Sequence, residues 1–326
     1  MRAFSLLCAL ALSGSDAAPN SQPNIIWLQT DSMDGRLLDS TSDYYYKVKL
    51  EGIKRGLVGA GVNFVRHHTA SPQCVPSRTS MLTSRYVHET GTTNNGEGLA
   101  RSTKTGQLDS KCVAAWDAPT CTAFAARQNQ SYTFLDLLAG AGYDLQLFGR
   151  FDVGAGVLDD YPQFKPTGDG FHGGPVIAIL ARGANIPGAT KEEPYGATSE
   201  TDQDPYAADQ AAGAQVVDFL TSHDPASPRP FLLWLGLLAP HPPYRTNSSY
   251  ISHVNASAVD APPQPDRATM HPFDAQMSIL KNAYQRDYTD EELKTMRTSY
   301  WGAVGEAMQI VDTVLKAARA TGHLNK

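Results

Sequence analysis

Phe231-Leu232-Leu233-Trp234-Leu235-Gly236-Leu237-Leu238 is an unbroken apolar run that ends at Ala239-Pro240-His241-Pro242-Pro243. Asn24 to Gln29 is a second, near-continuous apolar run, and it ends at Thr30-Asp31. Runs of this length without alternating polar residues are typical of strands buried on both faces, as in a parallel sheet. A third strand is predicted from Tyr143 to Phe148, before Gly149-Arg150.

Helical patterns alternate with these strands. A short helix is predicted from Thr133 to Gly140, and Asp204-Pro205 predicts the start of a helix that continues to about Thr221. Thr289-Asp290-Glu291-Glu292 is a capping box that begins a long helix. Strands that alternate with helices predict an α/β fold, with a mixed or parallel sheet flanked by helices.

Three polar residues follow the predicted strands directly: Asp31, Arg150 and His241. In open α/β sheets, ligands bind beyond the carboxyl ends of the strands. We therefore expect these three side chains to meet at one edge of the sheet and to form part of a site.

The composition bounds the class of protein. A chain of 326 residues can form one large domain or two smaller ones, and 41% hydrophobic residues are ample for a core. The 27 basic and 33 acidic side chains give a net charge of −6. With no basic run in the sequence, a nucleic-acid partner is not indicated.

The first residues predict export. Met1-Arg2-Ala3, the apolar run Phe4 to Leu12 and the small residues that follow indicate a secretory signal peptide over residues 1–17. The apolar run is too short to span a bilayer, and no later segment is long enough, so no membrane span is predicted. An N-terminal anchor is the alternative. We expect residues 18–326 to be secreted or lysosomal.

The other cysteines and the sequons agree with that route. Cys112 and Cys121 are close in sequence and are expected to pair as a disulfide in an oxidising compartment, the alternative being two free thiols. Cys74 is then the odd cysteine of the mature chain. Three N-glycosylation sequons are predicted acceptor sites, at Asn129, Asn247 and Asn255.

Cys74-Val75-Pro76-Ser77-Arg78 has the form C-x-P-S-R. Residues 61–65 before it are predicted to form a short strand, and Ser77 to Ser84 the first turns of a helix. Pro76 suits a helix start because its missing N–H would be unpaired there. A residue just before a helix N-terminus meets free backbone N–H groups and the positive end of the helix dipole, which would hold a tetrahedral oxyanion.

This motif resembles the signature of the sulfatase family, and the resemblance continues to Gly91. It implies an alkaline-phosphatase-like α/β fold, here the N-terminal part of a sulfatase catalytic domain. In the family, a formylglycine-generating enzyme oxidises the signature cysteine, here Cys74, to the aldehyde formylglycine. One hydroxyl of the aldehyde hydrate attacks sulfur and the other later expels sulfate, so the covalent intermediate does not trap the enzyme. A buried structural cysteine is the alternative.

Asp31-Ser32-Met33-Asp34-Gly35-Arg36-Leu37 resembles the calcium-binding segment of the family, and in particular its arylsulfatase K branch. By that resemblance Asp31 is a calcium ligand, together with the modified Cys74, and Ser32 stands where a second aspartate is usual. Calcium prefers oxygen ligands. A turn-capping aspartate is the alternative. Arg78 would hold the formylglycine hydrate and the sulfate.

Two further segments resemble the same branch. Arg150, in Phe148-Gly149-Arg150-Phe151-Asp152, stands where the family has a sulfate-binding lysine. His241 would contact the sulfate or protonate the leaving alcohol, which imidazole can do near neutral pH. The implied substrate is a sulfated small molecule or glycan, and the implied reaction is sulfate ester hydrolysis.

The family completes its calcium site with an Asp-His or Asp-Asn pair in a later strand, and no Ser-Asp-His-Gly or Ser-Asp-Asn-Gly occurs in this sequence. We therefore expect a truncated catalytic domain that hydrolyses aryl sulfates slowly. The alternatives are an inactive carbohydrate-binding relic and a phosphoesterase of the same superfamily. Phosphoesterases of that superfamily generally use Ser or Thr as the nucleophile, so Cys74 argues against the second.

Overall fold

A computed structural model describes residues 22–50, 61–93, 95, 119, 122, 133–153, 165–166, 195–198, 204, 206–242, 244–264, 266, 268–280 and 288–324. The predicted signal peptide (1–17), Cys112, Cys121 and Asn129 lie outside these residues. So does Pro243.

The central element is a four-stranded sheet in the order β1-β5-β2-β3, in which every neighbouring pair is parallel. The last residues of three strands are register partners: Gly236 of β5 pairs with Gln29 of β1 and with Gly149 of β2. These three strands therefore end at the same edge of the sheet. A separate parallel pair joins β4 and β6. The strands are β1 Ile25–Gln29, β2 Asp144–Gly149, β3 Lys165–Pro166, β4 Tyr195–Thr198, β5 Phe231–Gly236 and β6 Tyr244–Asn247.

Helices lie on both faces of the sheet. They are α1 Cys74–Thr83, α2 Val87–Thr90, α3 Phe134–Gly140, α4 Ala207–Ser222, α5 Ser248–Ile251, α6 Pro272–Leu280 and α7 Asp290–Ala320, with 3₁₀ turns at Gly35–Leu38 and Ala256–Ala258. Leu233 and Leu235 of β5 pack into the core under α4 and α7, whereas Leu232 and Trp234 pack into the core under α1 and α3. Both faces of β5 are buried, which is why the strand is apolar throughout.

The two long helices, α4 and α7, contact each other closely. A Cβ atom on Gly213 of α4 would lie 2.6 Å from a side-chain carbon of Ile310 on α7. Beside this contact, the buried carboxyl group of Glu306 accepts hydrogen bonds from Gln210 of α4 at 3.0 Å and Thr246 of β6 at 2.7 Å. Burial raises the pKa of Glu306 to about 7, although both hydrogen bonds oppose that rise. Glu306 therefore joins three elements at one buried point.

The capping box predicted at Thr289 is confirmed, and α3 begins with a second capping box. Thr289 and Glu292 form a reciprocal capping box at the start of α7, and Thr133 and Asp136 form one at the start of α3. At α4, the residue that precedes the helix is Tyr206, and Asp204 instead accepts a hydrogen bond from the Tyr206 N–H at 2.7 Å. The predicted start of α4 was therefore early, though its predicted end was correct to one residue.

The predicted strand over residues 61–65 is wrong. This stretch is irregular, and Val62 and Phe64 are exposed. A β-branched or aromatic residue favours a strand only where neighbouring strands and a core receive its side chain.

Among the described helices, none combines the length and the apolar composition that a bilayer crossing requires.

Candidate active site

The turn after β1 brings Asp31 to the carboxyl edge of the sheet. The backbone N–H of Asp31 donates to the carbonyl of Ala239 at 3.4 Å, which joins this turn to the turn after β5. The Asp31 side chain is 6% exposed. Ser32 adopts a left-handed backbone conformation, with φ of 60°, and its hydroxyl donates to Asp31 Oδ1 at 3.0 Å. Such strained backbone is concentrated at functional sites.

Tyr300 of α7 holds the strained turn in place. Its hydroxyl donates to the carbonyl of Ser32 at 2.9 Å and accepts from the N–H of Asp34 at 2.7 Å. The ring packs edge-on against Tyr244, with ring centroids 5.2 Å apart. The conformation that presents Asp31 is therefore supported by a helix 266 residues further along the chain.

Cys74 lies beside Asp31 at the start of α1. It is the first residue of the helix rather than the residue before it, and Pro76 lies two residues further on, still within the first turn. The distance from Cys74 Sγ to Asp31 Oδ1 is 3.5 Å. The N–H of Val75 donates to Asn95 Oδ1 at 3.1 Å, so a side chain partly satisfies the helix start. The position still places Cys74 at the positive end of the helix dipole.

Arg78, one helical turn after Cys74, is buried and donates hydrogen bonds to three protein oxygens. Its Nη2 donates to Asp31 Oδ2 at 3.0 Å, and its Nη1 donates to the carbonyls of Arg150 and Phe151, each at 3.1 Å. Arg78 thus connects α1 with the turns after β1 and β2. Its guanidinium supplies a fixed positive charge next to Cys74.

The charges around Cys74 set its protonation state and that of Asp31. Burial opposes the ionisation of Asp31, but the guanidinium of Arg78 and the hydrogen bond from Ser32 hold the pKa of Asp31 below its usual value. Burial and the negative charge of Asp31 raise the pKa of the Cys74 thiol to about 12, against the opposing effect of Arg78. At neutral pH the site therefore holds an ionised carboxylate beside a protonated thiol.

Two glycines let the ends of β2 and β5 approach closely. A Cβ on Gly149 would lie 2.1 Å from the carbonyl oxygen of Gly236, and a Cβ on Gly236 would lie 2.0 Å from that of Arg150. Gly149 also has φ of 87°, which glycine adopts without strain. The Arg150 side chain then bonds to buried Asp152 through Nε, at 2.8 and 3.0 Å.

His241 reaches the site from the turn after β5. Its Nδ1 lies 2.6 Å from the carbonyl of Pro242. Because a carbonyl only accepts, Nδ1 carries the proton and Nε2 has its lone pair available. Asp31, Cys74 and His241 each present a potential ligand atom, and these atoms lie within 4.8 Å of one another. They form the only group of three such side chains among the residues that the structure describes.

The turn that carries His241 is fixed by the start of α4. Both carboxylate oxygens of Asp209 accept backbone hydrogen bonds, from Leu238 N at 2.9 Å and from Ala239 N at 2.7 Å. The hydroxyl of Tyr206 donates to the carbonyl of His241 at 2.6 Å. Burial raises the pKa of Asp209 to about 6, against the effect of its two backbone donors.

The structure therefore brings the predicted residues Asp31, Cys74, Arg78 and His241 together, and places Arg150 at the adjoining strand end. Sequence reasoning missed Tyr300, Asp209 and Tyr206. Tyr300 and Asp209 lie within helices, and Tyr206 directly precedes one. The sequence of such a helix indicates only where it starts and which face is buried. The described sequon residues are Asn247, in β6, and Asn255, just before the second 3₁₀ turn.

The parallel sheet, the helices on its two faces and the residues at its carboxyl edge define an α/β protein with an alkaline-phosphatase-like fold. The chain belongs to the sulfatase family, whose model, described as "Sulfatase", matches residues 23–326.

Curated relatives include arylsulfatase K of Danio rerio, which is 24% identical over 94% of this chain and 53% of the relative. Arylsulfatase K of Bos taurus is 25% identical over 93% of this chain and 51% of the relative. Arylsulfatase K of Homo sapiens is 24% identical over 93% of this chain and 51% of the relative. The chain spans about half the length of these relatives.

Solved structures with a similar fold include a phosphonate monoester hydrolase of Agrobacterium radiobacter. It has a TM-score of 0.62, is 19% identical, and is matched over 93% of this chain and 60% of that chain. A phosphonate monoester hydrolase from Silicibacter pomeroyi has a TM-score of 0.61 and the same identity and coverage. At this identity the likeness concerns the fold.

Proposed function

We propose that this chain forms part of an enzyme that hydrolyses sulfate esters, and that Cys74, converted to formylglycine, provides the nucleophile. The observation that carries the proposal is the position of Cys74, at the first residue of α1, 3.5 Å from Asp31 and one helical turn from Arg78. A sulfuryl group at this point would meet the helix N-terminus and the charge of Arg78.

The state of the thiol supports the conversion. With a pKa of about 12, the Cys74 side chain stays protonated at neutral pH. A protonated thiol is a poor nucleophile, because the thiolate is the reactive form. This argues against a hydrolase that uses the cysteine directly. Formylglycine, once made, supplies an oxygen nucleophile and a route for sulfate to leave.

The residues around Cys74 supply part of a calcium site. Asp31 is ionised, and its Oδ1 faces Cys74 while its Oδ2 is taken by Arg78. A hard cation prefers oxygen donors, so Asp31 Oδ1 and the oxygen of a modified Cys74 would hold it, and it would stabilise charge on the sulfuryl oxygens. The nitrogen of His241 suits such an ion less well than it suits a substrate contact.

The remaining residues have separate tasks in this proposal. Arg78 fixes Asp31 and provides positive charge beside the nucleophile. Arg150 binds sulfate, with its guanidinium oriented by Asp152. His241, whose Nδ1–H is held by Pro242, offers Nε2 to the sulfate or to the leaving alcohol oxygen.

The substrate and the route through the cell are part of the proposal. The curated relatives are named arylsulfatases, which supports an aryl sulfate as the substrate. We include a sulfated sugar because of the sequence resemblance to the arylsulfatase K branch. Conversion of Cys74 requires a formylglycine-generating enzyme in the secretory pathway. The signal peptide, the Cys112–Cys121 disulfide and glycosylation at Asn129, Asn247 and Asn255 belong to that route, which ends outside the cell or in the lysosome.

A comparison of ester hydrolysis by wild type and Cys74→Ala tests the function. Both proteins are produced in a host with the modifying enzyme and assayed with an aryl sulfate and an aryl phosphate in the presence of calcium. We expect sulfate release by the wild type to exceed that of Cys74→Ala by a hundredfold or more, since the variant lacks the nucleophile, on the order of the losses seen for essential catalytic groups.

His88→Ala, at an exposed position in α2, is the matched control and should retain wild-type turnover. Sulfate release that is unaffected by Cys74→Ala would contradict the proposal. A preference for the phosphate ester would favour the phosphoesterase alternative. Absence of turnover in protein with converted Cys74 would favour the non-catalytic carbohydrate-binding alternative.

A further inference from the structure

We propose that Asp209 and Tyr206, at the start of α4, are positioning residues that set where the His241 imidazole stands relative to Asp31 and Cys74. This inference rests on the role given to His241 under the proposed function. Neither residue lies directly after a strand or within the Cys74 motif.

Three hydrogen bonds from residues at the start of α4 hold the loop that carries His241. Asp209 accepts from the N–H groups of Leu238 and Ala239, at 2.9 and 2.7 Å, and Tyr206 donates to the carbonyl of His241 at 2.6 Å. These contacts bind consecutive backbone groups on both sides of Pro240. The turn is thereby fixed to α4 at its beginning and at its end.

The same turn is tied to the residues of the site. The carbonyl of Ala239, the residue whose N–H binds Asp209, accepts from the N–H of Asp31 at 3.4 Å. The N–H of His241 closes the turn on the carbonyl of Leu238 at 2.8 Å. A shift of the Asp209 contacts would therefore change the distance between His241 and Asp31 rather than only loosen a surface loop.

Because Asp209 and Tyr206 are buried, their hydrogen bonds to the His241 turn cannot be replaced readily by water. Asp209 is 2% exposed and Tyr206 is fully buried. Only a carboxylate can accept from both backbone N–H groups here. An asparagine would turn its NH₂ group towards one of them and leave that donor unpaired, at the cost that buried unpaired groups carry. Phenylalanine at position 206 would keep the ring and leave the His241 carbonyl without its donor.

The experiment compares Asp209→Asn and Tyr206→Phe with wild type and with Asp218→Asn. Asp218 lies on the exposed side of the same helix, so its variant makes the same chemical change away from the turn. In protein labelled with ¹⁵N-histidine, the His241 Nδ1–H resonance is assigned by its loss in His241→Gln. Turnover of an aryl sulfate and thermal unfolding are measured on the same samples.

We expect the His241 resonance to shift or broaden in Asp209→Asn and Tyr206→Phe and to stay in place in Asp218→Asn. We expect kcat to fall about a hundredfold in Asp209→Asn, with a smaller fall in Tyr206→Phe and with KM changed by less than about threefold, because a misplacement of about 1 Å affects the chemical step more than binding.

An unchanged His241 resonance and an unchanged kcat in both variants, with only a lower unfolding temperature, would show that the two residues merely stabilise the fold. The resonance does not require turnover. If the wild type proves inactive, the proposed function fails while the positioning of His241 is still decided by the spectrum.

Discussion

Arg78 and Asp31 form a buried ion pair, with 4% and 6% of their side-chain surfaces exposed, whereas Arg36 and Asp34 form an exposed pair nearby. Removing one partner of a buried pair leaves an uncompensated charge, which costs about 3–5 kcal/mol. Removing one partner of a surface pair costs about 1 kcal/mol or less. The two arginines therefore offer a direct comparison within one site.

We expect Arg78→Gln to lower the free energy of unfolding by about 3–5 kcal/mol, because Asp31 and two buried carbonyls lose their donor. Arg36→Gln, the matched control, should lower it by about 1 kcal/mol or less. Urea unfolding followed by circular dichroism gives both values. Equal losses in the two variants would contradict the assignment of Arg78 as the central charge of the site.

Residues next to a strand end or within a motif could be predicted from the sequence. Asp31 and His241 follow apolar strands, and Cys74 lies in a motif, so their convergence follows from the topology of a parallel sheet. Tyr300 and Asp209 could not be predicted in this way. Tyr300 bonds to a turn 266 residues away, and Asp209 bonds to a turn 30 residues away. A single sequence does not specify such pairings.

At the scale of elements, the strands that were predicted correctly are those buried on both faces. β1 and β5 are apolar because helices cover them from both sides, and this leaves a clear pattern in the sequence. Residues 61–65 also contain valine and phenylalanine, but Val62 and Phe64 are exposed, and the segment is irregular. The start of α4 was misplaced because Asp204 bonds the backbone N–H of Tyr206, two residues on, as an aspartate in a turn does.

The contact between α4, α7 and β6 predicts a dependence of stability on pH. Burial raises the pKa of Glu306 from 4.5 to about 7. The groups that face it include Gln210, Thr246, Tyr206, Tyr250 and Asp204. Asp204 contributes to the rise in the pKa of Glu306. A raised folded-state pKa means that the contribution to stability is complete below the unfolded pKa and is lost as the pH rises through the folded pKa.

We expect Glu306→Gln, which resembles the protonated form, to lose less stability than the wild type between about pH 5 and about pH 8. Urea unfolding at both pH values measures this difference. Glu291→Gln, an exposed change in the first turn of α7, is the control and should follow the wild type. If the free energy of unfolding of Glu306→Gln declines with pH as much as that of the wild type, Glu306 is not the group that causes the pH dependence.

At the scale of the whole molecule, the site is assembled from six elements that lie between residues 25 and 320. The turns after β1, β2 and β5 supply Asp31, Arg150 and His241, and the start of α1 supplies Cys74. The helices α4 and α7 hold two of those turns from one face of the sheet. The position of the chemistry thus follows from the parallel sheet, while its precise geometry depends on the two helices.

Conversion of Cys74 to formylglycine would make this residue the nucleophile of a sulfatase. Mass spectrometry of the tryptic peptide 67–78 tests that conversion most directly. Peptides are compared from a host that has the formylglycine-generating enzyme and from one that lacks it. We predict that the first sample contains the peptide with an aldehyde in place of the Cys74 thiol, and that the second contains only the thiol. An intact cysteine in every copy from the competent host would contradict the account.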